Sequence, residues 1–342
     1  MVPALAVAAA LQAESPGTRI VFAGGERAEQ ELVPAAGYEL RTLSVQGLHR
    51  TKPWLALRAA LKAVFAVGAS WRLLGELRPA AVLGGGGYVA GPVGLAAVLR
   101  RVPLVLSEAD SHLGLTNRVL ARAARRVCLA FPIDGRSGAR YRVTGRPVPA
   151  RDGDRAAARA RFGLGADEQL LLVFGGSLGA RSINEAAFAA FAAQAPCRVL
   201  HVSGQRDHGD LAARDHGPHY DLQPYLGDFG DALAAATLTV ARSGGSVFEI
   251  AAAGLPAILV PYPSAAGDHQ AGNAAWMERA GAAVVVPDAE LSGPGLAELA
   301  GALLADPERL AAMGAAASSL ARPDAAREIA GEVLAAARET DG

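Results

Sequence analysis

Short apolar runs, each cut off by glycine, proline or charge, recur along the whole chain. The opening VPALAVAAALQA is apolar at most positions and long enough for a helix, with Pro3 in the first turn, where proline is tolerated. Strand-like runs follow at residues 19–23, 38–45, 80–83 and 103–106, separated by stretches with helical character. From Phe131 the sequence FPIDGRSGARYRVTGRPVPARDGDR turns rich in glycine, proline and arginine, with one short strand inside it. That composition predicts an interdomain connection. The alternation restarts at Gln169 with QLLLVFGGSLGARSINEA and runs on through CRVLHVSG, LTVARSGG, AILVPYP and AAVVVPD.

Strands alternating with helices predict two doubly wound, Rossmann-like α/β units with buried parallel sheets. The boundaries fall at 1–148 and 149–322, with a final helix over 323–342 that can pack back on the first unit. A doubly wound unit normally opens with a strand and a glycine turn, whereas this sequence opens inside a helix.

Composition narrows the picture. A chain of 342 residues suits two domains, and 51% hydrophobic against 19% charged residues is enough apolar material to exclude disorder. Lys+Arg and Asp+Glu balance at 33 each, so no overall field favours nucleic acid. Cys128 and Cys197 are far apart and outside any CxxC pattern, which argues against a disulfide framework or structural zinc and for a reducing cytosol. The N-terminal run lacks the basic residues of a secretory signal, and a buried helix is the better reading. Residues 79–99 are uncharged and long enough to span a bilayer, but GGGGYVAGP interrupts them and predicts strand, turn and helix.

Four segments carry candidate chemistry. FGGSLGA, with Gly176 and Ser177, joins an apolar strand to a helix; such a turn brings backbone amides to a phosphate, although tight packing turns use the same residues. RSGGSVFE places Arg242, Gly244, Gly245, Ser246 and Glu249 in one loop and helix start, where a carboxylate can accept both ribose hydroxyls or simply cap the helix. PYPSAAGDHQAGNAAW gathers Asp268, His269, Gln270 and Asn273, side chains able to hold sugar hydroxyls or to cap a helix. GGGGYVAGP, with Gly85, Gly86, Gly87 and Tyr88, offers a second anion-binding turn, and its spacing departs from a dinucleotide fingerprint. Histidines 201, 208, 216 and 219 lack a regular ligand pattern and read as loop residues rather than a metal site, and Asp152-Gly153-Asp154 reads as a solvated turn.

Taken together, VPALAVAAAL, GGGGYVAGPVGLAA, GLTNRVLA, FGGSLGARSINEA, RSGGSVFEIAAAGLPAILVPYP, HQAGNA and ERAGAAVVV resemble the MurG family of glycosyltransferases over nearly the whole chain. The resemblance implies a GT-B fold, two Rossmann-like domains facing a cleft. It further implies inverting transfer of N-acetylglucosamine from UDP-GlcNAc to the C4 hydroxyl of the MurNAc unit in lipid I, giving lipid II in peptidoglycan synthesis. The first domain would take the acceptor, with Gly85, Gly86, Gly87 and Tyr88 at its diphosphate, and the second would hold the donor. By position, Gly176 and Ser177 would meet the donor diphosphate, backbone at Leu226 the uracil edge and Glu249 the ribose. His269, Gln270 and Asn273 would hold the sugar, with Arg146, Asp110, Arg242, Gly244, Gly245 and Ser246 also on the donor. The resemblance implies no cofactor and no obligatory metal.

Departures from the family pattern bear on catalysis. The His-Glu-Gln-Asn segment reads Ser107-Glu108-Ala109-Asp110 here, which leaves Glu108 or Asp110 as candidate base. The arginine expected after Val148 is Pro149, with Arg146 or Arg151 as substitutes, and the family's glutamine in the glycine turn is Leu178. Family members begin with a strand and a GGTGGH turn just before the segment matching Val2-Pro3-Ala4-Leu5, so Met1 is expected to be an internal methionine of a longer product.

Residues 49–74 set Arg50, Lys52, Arg58, Lys62 and Arg72 among Trp54, Leu61, Phe65 and Trp71. Such a basic amphipathic helix suits an anionic membrane surface, or a core-facing helix with a solvated side. A peripheral position on the cytoplasmic face of the cell membrane follows from the resemblance, as do roles in cell shape and division and cell-wall synthesis proteins as partners. The competing functions are a transferase using another lipid acceptor, a hydrolysing UDP-GlcNAc epimerase, and an inactive nucleotide-sugar binder.

Overall fold

The structure is a computed structural model that describes residues 1–25, 29–43, 53–149, 154–176 and 178–339. It divides into two compact units, Met1–Pro149 with Arg322–Gly342, and Ala150–Ala321.

In the first unit α1 (Val2–Glu14) leads into β1 (Val21–Gly24), α2 (Glu29–Ala35) and β2 (Glu39–Thr42). There follow α3 (Pro53–Leu77), β3 (Val82–Gly84), α4 (Gly87–Leu99) and β4 (Leu104–Glu108). Next come α5 (Leu115–Leu120), β5 (Arg126–Leu129) and β6 (Tyr141–Val143). Residues 79–99 thus form strand, turn and helix, and among the described residues no helix is long and apolar enough to cross a membrane.

The side-chain alternation of β4 explains the layering. Leu104 and Leu106 point into one core with Leu120, Val127 and Leu129, while Val105 points into the other with Val7, Leu11 and Cys128. A strand buried on both faces must lie inside a parallel sheet, and β3-β4-β5-β6 is one. Among the described residues β1 and β2 pair with each other and not with β3–β6, so the described strands of this unit fall into two sheets; α4 packs against both β1 and β3.

The second unit begins with α6 (Arg155–Arg161), β7 (Leu170–Phe174), α7 (Arg181–Phe191) and β8 (Arg198–Val202). It continues with α8 (Gln205–Ala212), β9 (Tyr220–Gln223), α9 (Phe229–Ala235), β10 (Leu238–Ala241) and α10 (Val247–Ala252). The last elements are β11 (Ala257–Leu259), α11 (His269–Arg279), β12 (Ala283–Val285), α12 (Gly293–Leu304) and α13 (Pro307–Leu320). All six strands are parallel in the order β9-β8-β7-β10-β11-β12. Every residue of β7, β10 and β11 is buried, as their unbroken apolar runs require. Because β7 comes first and the chain then builds outward on one side before returning to the other, the strand order reverses between β7 and β10. Ligands of such sheets bind at that point, beyond the carboxyl ends of the strands.

After the second unit, α14 (Ala325–Arg338) returns to the first. Ile329, Ala330 and Val333 join Val7, Leu11, Val105 and Cys128 in one core, and Glu332 pairs with Arg126 and Arg142 at 3.0 and 3.4 Å. Gly145, at φ +82°, faces Arg322 so closely that a Cβ would collide with that side chain.

Candidate active site

Three loops of the second unit leave the carboxyl edge of its sheet on either side of the reversal point, after β7, β10 and β11. The turn from β7 to α7 is set by glycine. Gly176 and Gly179 sit at φ +95° and +76°, and a Cβ on Gly175 would collide with Ala180. Leu178, at the family's glutamine position, is 75% exposed, and Ser177 lies outside the described residues. Helix α7 starts at Ala180 with no side-chain cap and no acid in its first turn. Its leading amides therefore carry no side-chain partner at the cap and offer an anion both hydrogen bonds and the positive end of the helix dipole.

The loop after β10 is organised by Arg242. Its Nη1 donates to the Val260 and Pro261 carbonyls at 3.1 Å each, Nη2 donates to Ser182 Oγ at 2.7 Å, and the guanidinium pairs with Asp288 at 2.6 Å. These contacts make Arg242 a strut joining β10, β11, the start of α7 and the Asp288 turn. Gly244 and Gly245 are half-buried, Ser246 Oγ donates to the Arg242 carbonyl at 3.3 Å, and Glu249 sits half-buried in the first turn of α10.

Beyond β11 the chain makes a 3-10 turn and enters α11 through Asp268, which is left-handed at φ +55°. Gln270 Oε1 accepts from the Tyr262 amide at 3.0 Å, and the Gln270 carbonyl accepts from Ser243 Oγ at 2.8 Å. His269 is half-buried at the first position of the helix. Asn273 is fully buried and donates to the Ser243 carbonyl at 3.0 Å, bracing the β10 loop. The loops after β10 and β11 are thereby stitched together.

Leu226 lines a cavity of about 230 Å³ with Arg161, Phe162 and Asp228. Arg161 pairs with Asp231, while Arg155 and Arg159 of α6 donate to carbonyls at residues 234–236, at the end of α9. Arg161 and Phe162 went unnoticed in the sequence because nothing local links them to Leu226, 64 residues on (226 − 162). Asp154, once part of a turn reading, caps α6 by accepting from the Ala157 amide at 2.7 Å; Asp152 and Gly153 lie outside the described residues, as does Arg151.

The histidine reading also changes. His201 is on strand β8, not in a loop, and is fully buried, with ring nitrogens 2.6 Å from Tyr220 Oη and 3.0 Å from Asn184 Oδ1. Burial pulls its pKa down to about 4 and so keeps it neutral. His208 lies on α8. Among the described residues no group of three His, Cys, Asp or Glu side chains is arranged to hold a metal. Burial pushes the Cys128 thiol up to about 12 and that of Cys197 up to about 11, so neither is a ready nucleophile.

In the first unit the loop after β4 is built around Glu108. Its Oε1 accepts from the amides of Ala109 and Asp110 at 3.0 and 3.3 Å, and its Oε2 accepts from the Gly114 amide and Asn117 Nδ2 at 2.9 Å each. A carboxylate with both oxygens doubly engaged and 7% exposure cannot take a substrate proton without breaking that cage. Glu108 thus braces the loop that carries Asp110. Asp110 is half-buried beside it, and so is His112, a titratable side chain that the sequence reading passed over.

The glycine turn after β3 touches this loop. Gly86 and Gly87 are left-handed at φ +79° and +81°, Asn117 Nδ2 lies against Gly86, and Thr116 Oγ1 donates to the Gly87 carbonyl at 3.5 Å. Gly85 precedes the turn and Tyr88 opens α4; the Tyr88 side chain lies outside the described set. Arg146 also belongs to this unit, near enough to the Met1 ammonium to help burial lower its pKa.

On the unit's surface, Val64, Phe65 and Trp71 of α3, Leu95 and Leu99 of α4, and Leu115 and Val119 of α5 are exposed large apolar side chains. Arg50 and Lys52 lie outside the described residues, as do the side chains of Trp54, Arg58, Leu61 and Lys62.

Comparison with known proteins shows the family and the fold. The Glycosyltransferase family 28 N-terminal domain matches residues 1–129, and the Glycosyltransferase family 28 C-terminal domain matches residues 170–329. The UDP-N-acetylglucosamine--N-acetylmuramyl-(pentapeptide) pyrophosphoryl-undecaprenol N-acetylglucosamine transferase of Moorella thermoacetica is 41% identical over 350 residues, covering 97% of this chain and 94% of its own. The like-named protein of Salinibacter ruber is 42% identical, covering 98% and 93%. Among solved structures, the crystal structure of Acinetobacter baumannii MurG superposes with a TM-score of 0.78 at 28% identity, covering 98% of this chain and 95% of that one.

Proposed function

Since the chain belongs to the MurG transferases of glycosyltransferase family 28, we propose that it moves N-acetylglucosamine from UDP-GlcNAc to the C4 hydroxyl of the MurNAc unit in lipid I, forming lipid II. It is a hexosyltransferase of GT-B fold. The observation that carries the donor reading is the pair of glycine-bearing loops on either side of the strand reversal between β7 and β10.

In this reading the amides around Gly176 and the start of α7 meet the diphosphate, and Ser177 contributes its hydroxyl to the same group. Gly244, Gly245 and Ser246 let the β10 loop approach the nucleotide, and Glu249 takes the ribose hydroxyls. The uracil occupies the cavity beside Leu226, against Phe162, with its edge on the Leu226 backbone. His269 and Gln270 hold the sugar; Asn273 and Arg242 act one step back, by fixing the loops.

The reaction is a displacement at the anomeric carbon. The C4 oxygen forms the new bond, the bond to the diphosphate oxygen breaks, and the hydroxyl proton passes to a base. The departing diphosphate is stabilised by fixed amide dipoles at the α7 start, which need no reorganisation as charge develops. In the first unit Gly85, Gly86, Gly87 and Tyr88 take the acceptor diphosphate. Asp110 and His112, on the loop braced by Glu108, are the candidate proton acceptors, and Arg146 contributes positive charge to the donor.

The exposed apolar side chains of α3, α4 and α5, with the exposed Arg72, Arg101 and Arg118, suit an anionic bilayer surface. The protein accordingly works as a peripheral enzyme on the cytoplasmic face of the cell membrane, where it meets the lipid acceptor and other cell-wall proteins.

The decisive experiment is calorimetry with UDP and UDP-GlcNAc followed by a transfer assay on a lipid I analogue. Binding of both with lipid II formation is expected. A folded sample that binds neither would overturn the donor site, and binding with transfer only to a different lipid would overturn the acceptor.

A further inference from the structure

Behind the β7 turn lies a buried chain of hydrogen bonds that the reaction as described does not use. Asn184, on the first turn of α7, donates from Nδ2 to the Ser203 carbonyl at 2.9 Å and to Asp207 Oδ2 at 3.0 Å. With its N–H groups so placed, its Oδ1 must be the acceptor that meets His201 Nε2 at 3.0 Å. His201 then carries its proton on Nε2, and the bare Nδ1 accepts from Tyr220 Oη at 2.6 Å. Asp207 is anchored in turn by the Arg206 guanidinium, with both contacts at 3.0 Å. Asn184, His201 and Ser203 are all fully buried or nearly so.

The far end of this chain touches the glycine turn. A Cβ placed on Gly179 would overlap the Ser203 carbonyl oxygen, and one placed on Gly204 would overlap the Gly179 backbone. The Ser203-Gly204 backbone is thus the wall on which the turn rests, and both glycines adopt positive φ to permit it. Asn184 grips both sides at once, since its own amide donates to the Ala180 carbonyl at 2.8 Å. An apolar core would bury this volume at lower cost than a histidine, an asparagine and a tyrosine hydroxyl. A fully satisfied polar network fixes orientation, which apolar packing does not.

We propose that His201 is a positioning residue of the donor site: through Asn184 it fixes the Ser203 carbonyl, and so holds Gly179 and the start of α7 where they receive a diphosphate. The inference rests on the donor reading above. It predicts that the network matters for the phosphates and not for the nucleoside.

The test measures UDP and uridine affinity for the full chain and for His201→Leu, His201→Gln and Tyr220→Phe. His201→Leu should weaken UDP by about ten-fold, the size of one or two lost hydrogen bonds, with uridine within about two-fold of the parent. His201→Gln, whose side-chain N–H can replace Nε2, should recover most of the loss. In turnover the donor KM should rise and kcat should fall with it, while the acceptor KM holds. Should His201→Leu fold poorly, Tyr220→Phe, which removes only the hydroxyl on Nδ1, should show the same selectivity on a smaller scale. Unchanged UDP affinity, equal losses for UDP and uridine, or no recovery with glutamine would overturn the proposal. A parent chain that binds UDP no better than uridine would instead overturn the diphosphate reading on which it stands.

Discussion

The Arg242 guanidinium meets the Asp288 carboxylate at 2.6 Å, and both groups also contact Ser182 Oγ at the start of α7, at 2.7 and 2.6 Å. One ion pair therefore ties the loop after β10 to the helix that begins the diphosphate turn. Replacing Asp288 by alanine leaves a guanidinium only 11% exposed with neutral acceptors alone. A fully buried pair broken this way costs about 3–5 kcal/mol, and partial exposure should reduce that to about 2 kcal/mol. The urea midpoint of D288A should fall accordingly, with donor affinity falling alongside it.

Glu108→Gln separates a brace from a base. The amide puts an N–H where a backbone amide or Asn117 now donates, so stability should drop by about 1–3 kcal/mol, with kcat reduced only through loop disorder. A base would behave in the opposite way, with stability kept and kcat falling at least about a hundred-fold. Thermal melts and a pH–rate profile on the same sample decide between them.

His201 gives stability a definite pH dependence. Its folded pKa of about 4 lies below the ordinary imidazole value of 6.5, so the unfolded chain binds the extra proton between those values. Stability from this group is fully present above pH 6.5, declines as pH falls, and levels off below about 4. The shift corresponds to roughly 3 kcal/mol. Denaturation midpoints of parent and H201Q chains should converge with falling pH.

Phe65 is 76% exposed and Val64 70%. If this surface enters a lipid headgroup layer, Phe65→Glu should weaken flotation with phosphatidylglycerol vesicles by roughly ten-fold, in line with the loss of one buried aromatic. UDP affinity should not change. Equal flotation of parent and variant would remove this face from the membrane contact.

Much of the fold could be read directly from the sequence because its signals are local. An apolar run such as LLLVF announces a strand buried on both faces, and glycines at 176 and 179 mark a turn that needs positive φ. The position of the polar segments at strand ends followed from the same alternation. What could not be read was the use of each side chain. Whether Glu108 faces solvent or four hydrogen-bond donors depends on the path of residues 109–117, and whether Arg242 faces ligand or Asp288 depends on a turn 46 residues later (288 − 242). The strand-like run RVLHV already implied that His201 sits in a sheet, yet its partners on α7 and β9 come together only by folding.

The division of the first unit's strands has a dynamic counterpart. A ribbon of two strands is marginal by itself, and among the described residues β1 and β2 pair with no other strand, so they owe their order to the helices α2 and α4 packed on them. Breathing of those helices exposes every amide of the ribbon at once, whereas the six-stranded sheet opens only by dismantling a continuous interior. Deuterium should therefore enter residues 21–24 and 39–42 long before it enters β7 or β10, giving the first unit a pliant margin beside its own stiff four-stranded sheet.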